Sequence, residues 1–537
     1  MKLKPTDVKN KPVLIDLGCG MVYCAPPEPD LNDMTNAMLG SQKRVLFKNI
    51  TKNKGHGLRK FRNFVRKFIK EHLKPIEPDS DRAPETWLEN NKSYTFKEKE
   101  ELLKKWEKMN KSEGEYKDPM IIKVKQSFIK DETYTQFKYS RGIHGRTDEF
   151  KLLLGPVAKL IEKYLFQESP LEKFFIKKIP VPDRPSYLMD NVFAPGFSYF
   201  CNDYTGFEGL LGPEFMAACE FQLYTYMVSI LPDEEKKRFN GMFRAVCFGK
   251  NHMTYKNVNI DVSGCRMSGE MFTSLGNGFS NLMVVLYWFS LQGVTDINSI
   301  HGVVEGDDSL FRMSVIPPSI EFYDSLGLVA KPEVIADIRE ASFCGQVFSD
   351  TSSVICDPNK VLLNFGWTSS KYMHFKDSFH LSLLRAKAWS LGYQYKNCPI
   401  LSSMARCYLR LTRSYEVINV VKYMPTYKRE EFLNMLDIGR PELNPIITEE
   451  SRLLMEKLYK VSPEQQRAYE TYFDNLNCLE PIPDFGLNIH NDCYVYKDMY
   501  VLDVFSYNKN EWNWMIYHQP QHSTNLIEVS PISFQAK

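Results

Sequence analysis

The sequence predicts an α+β fold in which an antiparallel sheet is backed by helices. Three observations predict it. Gly306-Asp307-Asp308 separates two apolar stretches, Ile300 to Val304 and Leu310 to Met313. That pattern is a β-hairpin, with Gly306 supplying the backbone freedom of the turn. Phe197 to Asp203 is a further apolar stretch that turns directly into a helix at Pro213, a residue suited to a first helical position. Leu152, Leu153, Val157, Leu160, Ile161 and Leu165 recur at helical spacing between Phe150 and Phe166.

The remaining elements follow in chain order. Between Lys43 and Lys74 lie Arg44, Lys48, Lys52, Lys54, Arg59, Lys60, Arg62, Arg66, Lys67 and Lys70, against the single acid Glu71. Such a stripe reads equally as a phosphate-contacting surface or a solvated helix face. Residues 75–118 are polar and charged and read as a surface excursion. Residues 179–196 carry Pro180, Pro182, Pro185 and Pro195 and read as an extended connector. Pro232 is expected to close the helix that starts at Pro213. Glu270 to Leu291 reads as a buried helix, and the chain after Leu363 is mostly helical in pattern. The last fifty residues are rich in aromatics, among them Tyr494, Tyr496, Tyr500, Phe505, Tyr507, Trp512, Trp514 and Tyr517.

Composition narrows the class. With 43% hydrophobic and 25% charged residues over 537 positions, the chain can bury a large core and is neither disordered nor fibrous. A formal net charge of +2 does not by itself announce a nucleic-acid partner, so local charge has to carry that argument. The 12 cysteines form no C-x-x-C pair, which disfavours zinc and points to a reducing compartment. The N-terminus lacks the apolar core of a signal peptide. The run Phe279 to Leu291 is short for a membrane span and contains Asn281 and Ser290. Membrane attachment is therefore expected to be peripheral or through a partner.

Five pieces carry chemistry. Adjacent carboxylates on a rigid hairpin suit hard divalent cations, although Gly-Asp-Asp alone is also an ordinary turn. Asp203 ends a strand, where it can face the acidic turn across a sheet; taken alone it is a helix-capping acid. Two-metal phosphoryl transfer needs such carboxylates around two ions roughly 3.5–4 Å apart. In Arg266-Met267-Ser268-Gly269-Glu270-Met271-Phe272-Thr273-Ser274-Leu275-Gly276-Asn277, a Ser-Gly loop enters a helix that shows Thr273 and Asn277 on one face. Hydroxyl and amide groups there can bond a ribose 2′-OH, or simply cap a wet helix. Lys130, Glu132, Lys138, Arg141 and Arg146 suit a triphosphate channel, or a solvated basic strand. Lys331 can protonate a pyrophosphate leaving group, or sit idle at the surface.

In chain order these pieces run basic segment, first Asp, Ser-Gly helix, Gly-Asp-Asp, Lys. In that combination the sequence resembles the RNA-directed RNA polymerases of positive-strand RNA viruses. It is most similar to the tombusvirus-like group, whose Arg-Met-Ser-Gly-x-Met-x-Thr-x-Leu-Gly-Asn pattern it carries. The resemblance spans about residues 127–346, less than half the chain. It implies that Asp203 belongs to motif A, that Ser268, Gly269, Thr273 and Asn277 belong to motif B, and that Asp307 and Asp308 belong to motif C. Lys331 matches motif D, Phe343 to Gln346 resembles motif E, and Lys130, Lys138, Arg141 and Arg146 resemble motif F, which meets incoming nucleotides. Five residues after the first Asp many relatives carry another Asp; here it is Glu208, one methylene longer.

The resemblance implies a closed right-hand polymerase. The expected divisions are an N-terminal region and fingers over 1–196, a first palm strand over 197–209, a fingers insertion over 210–262, palm over 263–358 and thumb over 359–537. Asp203, Asp307 and Asp308 are the expected ligands of two Mg²⁺ or Mn²⁺ ions, and Lys331 the proton donor. Lys130, Lys138, Arg141 and Arg146 are expected at the phosphates; Glu208, Ser268, Gly269, Thr273 and Asn277 at the ribose. Expected partners are an RNA template with its nascent strand, ribonucleoside triphosphates and a membrane-associated replication factor, in the host cytoplasm. The aromatic C-terminal stretch is a candidate stacking platform for initiation without a primer.

Other classes fit less well. A reverse transcriptase usually has an aromatic residue two before the paired aspartates, where this chain has Glu305. Leu14-Ile15-Asp16-Leu17-Gly18-Cys19-Gly20 resembles the glycine loop of S-adenosylmethionine enzymes but lacks the third glycine. A scaffold that merely binds RNA would not need Asp203, Asp307 and Asp308 together. No Gly-x4-Gly-Lys-Ser/Thr run occurs, so an ATPase is not supported.

Overall fold

The computed structural model describes residues 2–3, 14–22, 26, 29, 31, 33–46, 54–111, 124–132, 134, 138–256, 258–350, 352–441 and 444–487. Lys48, Lys52 and the aromatic stretch from Tyr494 to Tyr517 lie outside these residues.

The fold is mixed α+β around a four-stranded antiparallel sheet. Its order is Ala330–Ile335, Tyr199–Tyr204, Asp308–Arg312, Gly302–Glu305. The central strand Tyr199–Tyr204 pairs Asn202 with Ser309 on one side and Asp203 with Lys331 on the other. Side chains alternate across the pleat. Phe200, Val304 and Phe311 join the main core, where the Phe200 and Phe311 rings stack at 5.8 Å. Tyr199, Cys201, Val303 and Leu310 join a second core with Ile176, Leu188, Val192, Ile338 and Phe343. Both faces are therefore sealed along most of the strands, and Asp203 stands exposed where the second cover ends.

Helix Thr273–Leu291 backs the first face. Every residue from Leu275 to Phe289 is buried, so the helix is apolar all round because protein surrounds it on every side. Among the described residues no helix is long and apolar enough to cross a membrane. The helix starts at Thr273 rather than Glu270. The residues before it form a loop that turns through Gly269, whose φ of +85° a helix cannot contain.

Helix Lys54–His72 packs Phe61 against Phe215 and Tyr287. Its Arg59, Lys60, Arg62, Arg66, Lys67 and Lys70 are exposed, in keeping with the apolar–basic alternation of the sequence. One expected connector is helical. Within 179–196 lies helix Arg184–Asn191, with Pro185 in its first turn, where a missing N–H costs nothing. Pro232 caps the start of helix Asp233–Phe248, while the segment opened by Pro213 breaks into Pro213–Ala218 and Glu220–Met227.

Within 75–118 the described residues are not a mere excursion. They hold helices Pro84–Glu89 and Phe96–Lys111, and the second begins with Thr95 and Glu98 exchanging side-chain and backbone hydrogen bonds. Leu88, Leu102 and Met109 pack on Leu152 of helix Asp148–Lys163. The other side meets helix Thr426–Ile438. There the buried Arg429 donates to Ser93 O at 2.6 Å and Glu98 Oε2 at 2.7 Å, and Lys92 pairs with Asp437 at 2.7 Å.

The N-terminal residues are tied to distant parts of the chain. Strand Leu14–Asp16 pairs with Trp367–Ser369. Asp16 Oδ1 then accepts the N–H groups of Gly18, Cys19 and Gly20 at 2.9, 3.1 and 2.8 Å. Ile482 N–H donates to Gly20 O at 3.1 Å, and Val22 N–H donates to Ile482 O at 2.9 Å. The glycine loop spends its amides on its own aspartate, which removes the cofactor-loop reading of that motif.

Arg429→Ala is expected to lower the unfolding free energy by about 1–3 kcal/mol, since it leaves buried carbonyls without a donor. Lys92→Ala, which removes an exposed pair, should cost about 0–1 kcal/mol. Urea unfolding of the two variants beside the wild type checks the difference.

Candidate active site

The acidic hairpin is built by register. Glu305 pairs with Asp308, leaving Gly306 and Asp307 as the two-residue turn, and Gly306 takes φ +61° there. On the neighbouring strand Asn202 pairs with Ser309. One step further along the same register sets Asp203 opposite Asp308. Lys331 stands across from Asp203 on its other side. Asp203, Asp308, Glu305 and Lys331 therefore share one face of the sheet, with Asp307 at the turn beside them.

A buried hydrogen-bond chain fixes this geometry from behind. Tyr323 Oη donates to Asn202 Oδ1 at 2.5 Å, and Asn202 Nδ2 donates to Tyr204 Oη at 3.4 Å. Tyr204 Oη donates to Asn281 Oδ1 at 3.2 Å. Asn281 Nδ2 then donates to the backbone oxygens of Gly306 at 3.2 Å and Asp308 at 3.0 Å. Asn281 was not among the expected site residues. Its signal was a polar side chain four residues after Asn277, inside an otherwise apolar run.

The carboxylates crowd one another. Burial against the cleft wall, followed by the charges of Asp307, Glu305 and Asp203, pushes the Asp308 carboxyl up to about 6, while a hydrogen bond from the Cys344 thiol works the other way. The carboxyl still reaches solvent; it is the surrounding mass of protein that desolvates it. Among the described residues no three His, Cys, Asp or Glu side chains already meet as a metal cage. The donor set nevertheless fits a hard cation. It is all oxygen, it carries unbalanced negative charge, and Mg²⁺ characteristically takes one or two carboxylates with the rest of its shell from water and phosphate. Glu305 is restrained by the buried Arg184 at 3.2 Å. Next to it Cys344 and Gly345 take φ +53° and +73° in the turn bridged by Phe343 and Gln346.

The basic segment forms hairpin Val124–Ile129 with Gly142–Arg146. Lys130 pairs with Glu132 at 2.9 Å, and Arg141 lies 3.6 Å from the same carboxylate. Burial would lower the Arg141 guanidinium, but Glu132, Glu208 and Asp307 outweigh it and hold its affinity for the proton above the usual value. Arg141 is thus within the field of the acidic turn. Lys138 is exposed. Arg44, from the basic stripe, donates to Tyr139 O at 2.6 Å and lies within the fields of Arg141 and Glu208.

Arg146 is placed differently from expectation. It is 1% exposed, its Nε donates to Glu270 Oε2 at 2.7 Å and its Nη1 to Asn251 Oδ1 at 2.6 Å. A guanidinium walled in this way does not face a triphosphate, so its place among the phosphate contacts is corrected.

The Ser-Gly loop lies against this hairpin. Ser268 O accepts the His144 N–H at 2.8 Å, and a side chain at Gly269 would strike Ile143 Cγ2 at 2.6 Å. Burial chiefly raises the Glu208 carboxyl; Arg141 opposes that first, and the nearby Ser268 hydroxyl also favours the charged form. Thr273, expected at the ribose, turns its hydroxyl into the loop and donates to Met267 O at 3.0 Å. Asn277 is 4% exposed and its Oδ1 has no hydrogen-bond partner among the described residues, an unmet acceptor beside this loop.

Residues 184–397 match the family model of viral RNA-dependent RNA polymerases. The matched segment takes in the whole central sheet, the buried helix and the three aspartates, and defines a template-directed nucleotidyltransferase. The matched segment is that of a viral RNA-dependent RNA polymerase, an enzyme that replicates an RNA genome. Its substrates as a family are an RNA template and nucleoside triphosphates, and the family typically uses divalent metal ions. No curated protein matches the chain.

Two expectations test this geometry. Asn281→Leu leaves the Gly306 and Asp308 carbonyls without their donor and should cost about 1–3 kcal/mol of stability. Polymerisation should fall by about a hundredfold, as expected when reacting groups lose alignment by an ångström or so; unfolding and single-nucleotide extension assays read both. His144 is fully buried and its imidazole is held down at about 3, by burial and then by Arg146. Its contribution is constant above the ordinary value near 6.5 and is lost as pH falls from there towards 3, because only the unfolded chain takes up the proton. Between pH 6.5 and 5 the loss is about 2 kcal/mol, at 1.36 kcal/mol per unit. Urea unfolding across that range should show a flatter slope in His144→Gln.

Proposed function

We propose that the chain is a closed right-hand polymerase of the tombusvirus-like group that copies single-stranded RNA by two-metal nucleotidyl transfer. The proposed divisions are fingers with the N-terminal region over 1–196, the first palm strand over 197–209, a fingers insertion over 210–262, palm over 263–358 and thumb over 359–537. The observation that carries the reading is the register that sets Asp203 opposite Asp308, with Asp307 at the turn and Arg141 within its field. The motif B pattern supports the subgroup.

Asp203 and Asp307 would hold two Mg²⁺ or Mn²⁺ ions, with Asp308 assisting. Bound there, such ions supply positive charge that lowers the pKa of the primer 3′-hydroxyl and steadies departing pyrophosphate. Arg141, Lys130 and Lys138 neutralise the incoming phosphates. Lys331, across from Asp203, gives a proton to the leaving group. Glu208, Ser268 with its flexible neighbour Gly269, and Asn277 read the 2′-OH, and Thr273 keeps their loop in shape. Base choice is left to pairing with the template. The proposed setting is the host cytoplasm, at membrane-associated complexes recruited through a replication factor.

The test is incorporation on a single-stranded RNA template with ribonucleotides and then deoxyribonucleotides, in Mg²⁺ or Mn²⁺. Wild type should incorporate ribonucleotides. Asp307→Asn should fall by at least about a thousandfold while staying folded. A folded wild type that is inactive with and without primer, or that uses deoxyribonucleotides equally well, defeats the reading.

A further inference from the structure

Four charged side chains take no part in the chemistry above, and all four are sealed from solvent. Arg146 ends the basic hairpin, Glu220 opens helix Glu220–Met227, and Arg266 and Glu270 belong to the Ser-Gly loop. The side chains of Arg146, Arg266, Glu220 and Glu270 are all 0% exposed. Glu270 gives one oxygen to each arginine: Oε2 accepts from Arg146 Nε at 2.7 Å and Oε1 from Arg266 Nη1 at 2.5 Å. Arg266 also pairs with Glu220, which accepts from Tyr224 Oη at 2.7 Å. A side chain at Gly276 would come within 2.3 Å of Glu220 and 2.4 Å of Arg266, so the buried helix lies directly against the cluster.

Such a cluster is a poor device for stability alone. Desolvating four charges costs several kcal/mol per ion, and well-packed apolar residues often do as well. What the charges add is direction. Arg146 and Glu270 join the basic hairpin to the Ser-Gly loop, alongside the His144–Ser268 hydrogen bond and the Ile143–Gly269 contact. Glu270 lies two residues from Ser268, whose hydroxyl favours the charged form of Glu208.

We propose that Glu270, gripped between Arg146 and Arg266, is a positioning residue for ribose selection. It fixes the spacing between Arg141, which meets the phosphates, and the Glu208–Ser268–Asn277 group, which reads the 2′-OH. This rests on the ribose-reading assignment above. A nucleotide held by its phosphates then presents C2′ to that group at one set distance, and a slack loop loses the distinction between ribose and deoxyribose.

The experiment compares kcat/KM for a ribonucleoside triphosphate and its 2′-deoxy counterpart in full-length wild type, Glu270→Gln and Arg146→Lys. Gln keeps the shape of Glu270 and removes the shared charge; Lys keeps the charge of Arg146 and removes the fork. Thermal melting confirms folding. The ribo-to-deoxy ratio is expected to fall by about tenfold in Glu270→Gln, through loss on the ribonucleotide, and several-fold in Arg146→Lys. Equal loss on both substrates, leaving the ratio at its wild-type value, overturns the proposal and makes the cluster purely structural. If Glu270→Gln does not fold, the ratio in Arg146→Lys decides. Asn277→Ala separates the two levels of the argument. A ratio that falls in Asn277→Ala but not in the cluster variants defeats positioning alone; a ratio unmoved in Asn277→Ala defeats the ribose-reading assignment beneath it.

Discussion

The buried chain of hydrogen bonds from Tyr323 through Asn202 and Tyr204 to Asn281 sets the distance between the strand that carries Asp203 and the turn that carries Asp307. Two strands in a sheet are already held about 5 Å apart by their ladder. The ladder does not fix the turn beyond its end, and Asn281 does, by binding the carbonyl of Gly306 in the turn and that of Asp308 where the strand resumes. Hydrogen bonds of this kind are strong only where water is kept out. The apolar girth of the buried helix and the stacked Phe200 and Phe311 exclude it.

The charges divide into two populations. At the open end of the sheet Asp203, Asp307 and Asp308 crowd together with no salt bridge among the described residues, a state that favours a cation or a proton. Behind the Ser-Gly loop two arginines and two glutamates cancel, closed off from solvent. Glu305 marks the border: it faces the same side as Asp308 but is tied to Arg184, so it adds to the field without being free to move.

Much of this was legible in the sequence because the relevant signals are local. The hairpin at Gly306, the strand ending in Asp203 and the largely apolar helix after Asn277 each follow from spacing and turn chemistry. The helix Arg184–Asn191 was hidden by its prolines, which read as extended but sit where a helix tolerates them. The capping pair Thr95 and Glu98 was readable and outweighed by the polar composition around it. Arg146 could not be sorted from Arg141 by sequence, because both lie on one basic hairpin. Only the partner brought from 124 residues away, Glu270, shows that one of them is spent internally. Asn281 was visible as an oddity but had no readable target, since its partners are backbone atoms of a distant turn.

The ties made by residues 14–22 have a consequence for how the chain assembles. Asp16 orders the loop locally, but the strand before it needs Trp367–Ser369, and Gly20 and Val22 need Ile482. During synthesis at about 5–20 residues per second, Ile482 follows Gly20 by on the order of a minute. Contacts so far apart in sequence form slowly. Through that interval Leu14 to Asp16 is a segment with two apolar side chains and no strand partner, the kind of edge that pairs with neighbouring chains. Made long before its partners, the segment is thus among the last to be covered, and the yield of folded enzyme in a crowded, rapidly translating cell depends on shielding it until then.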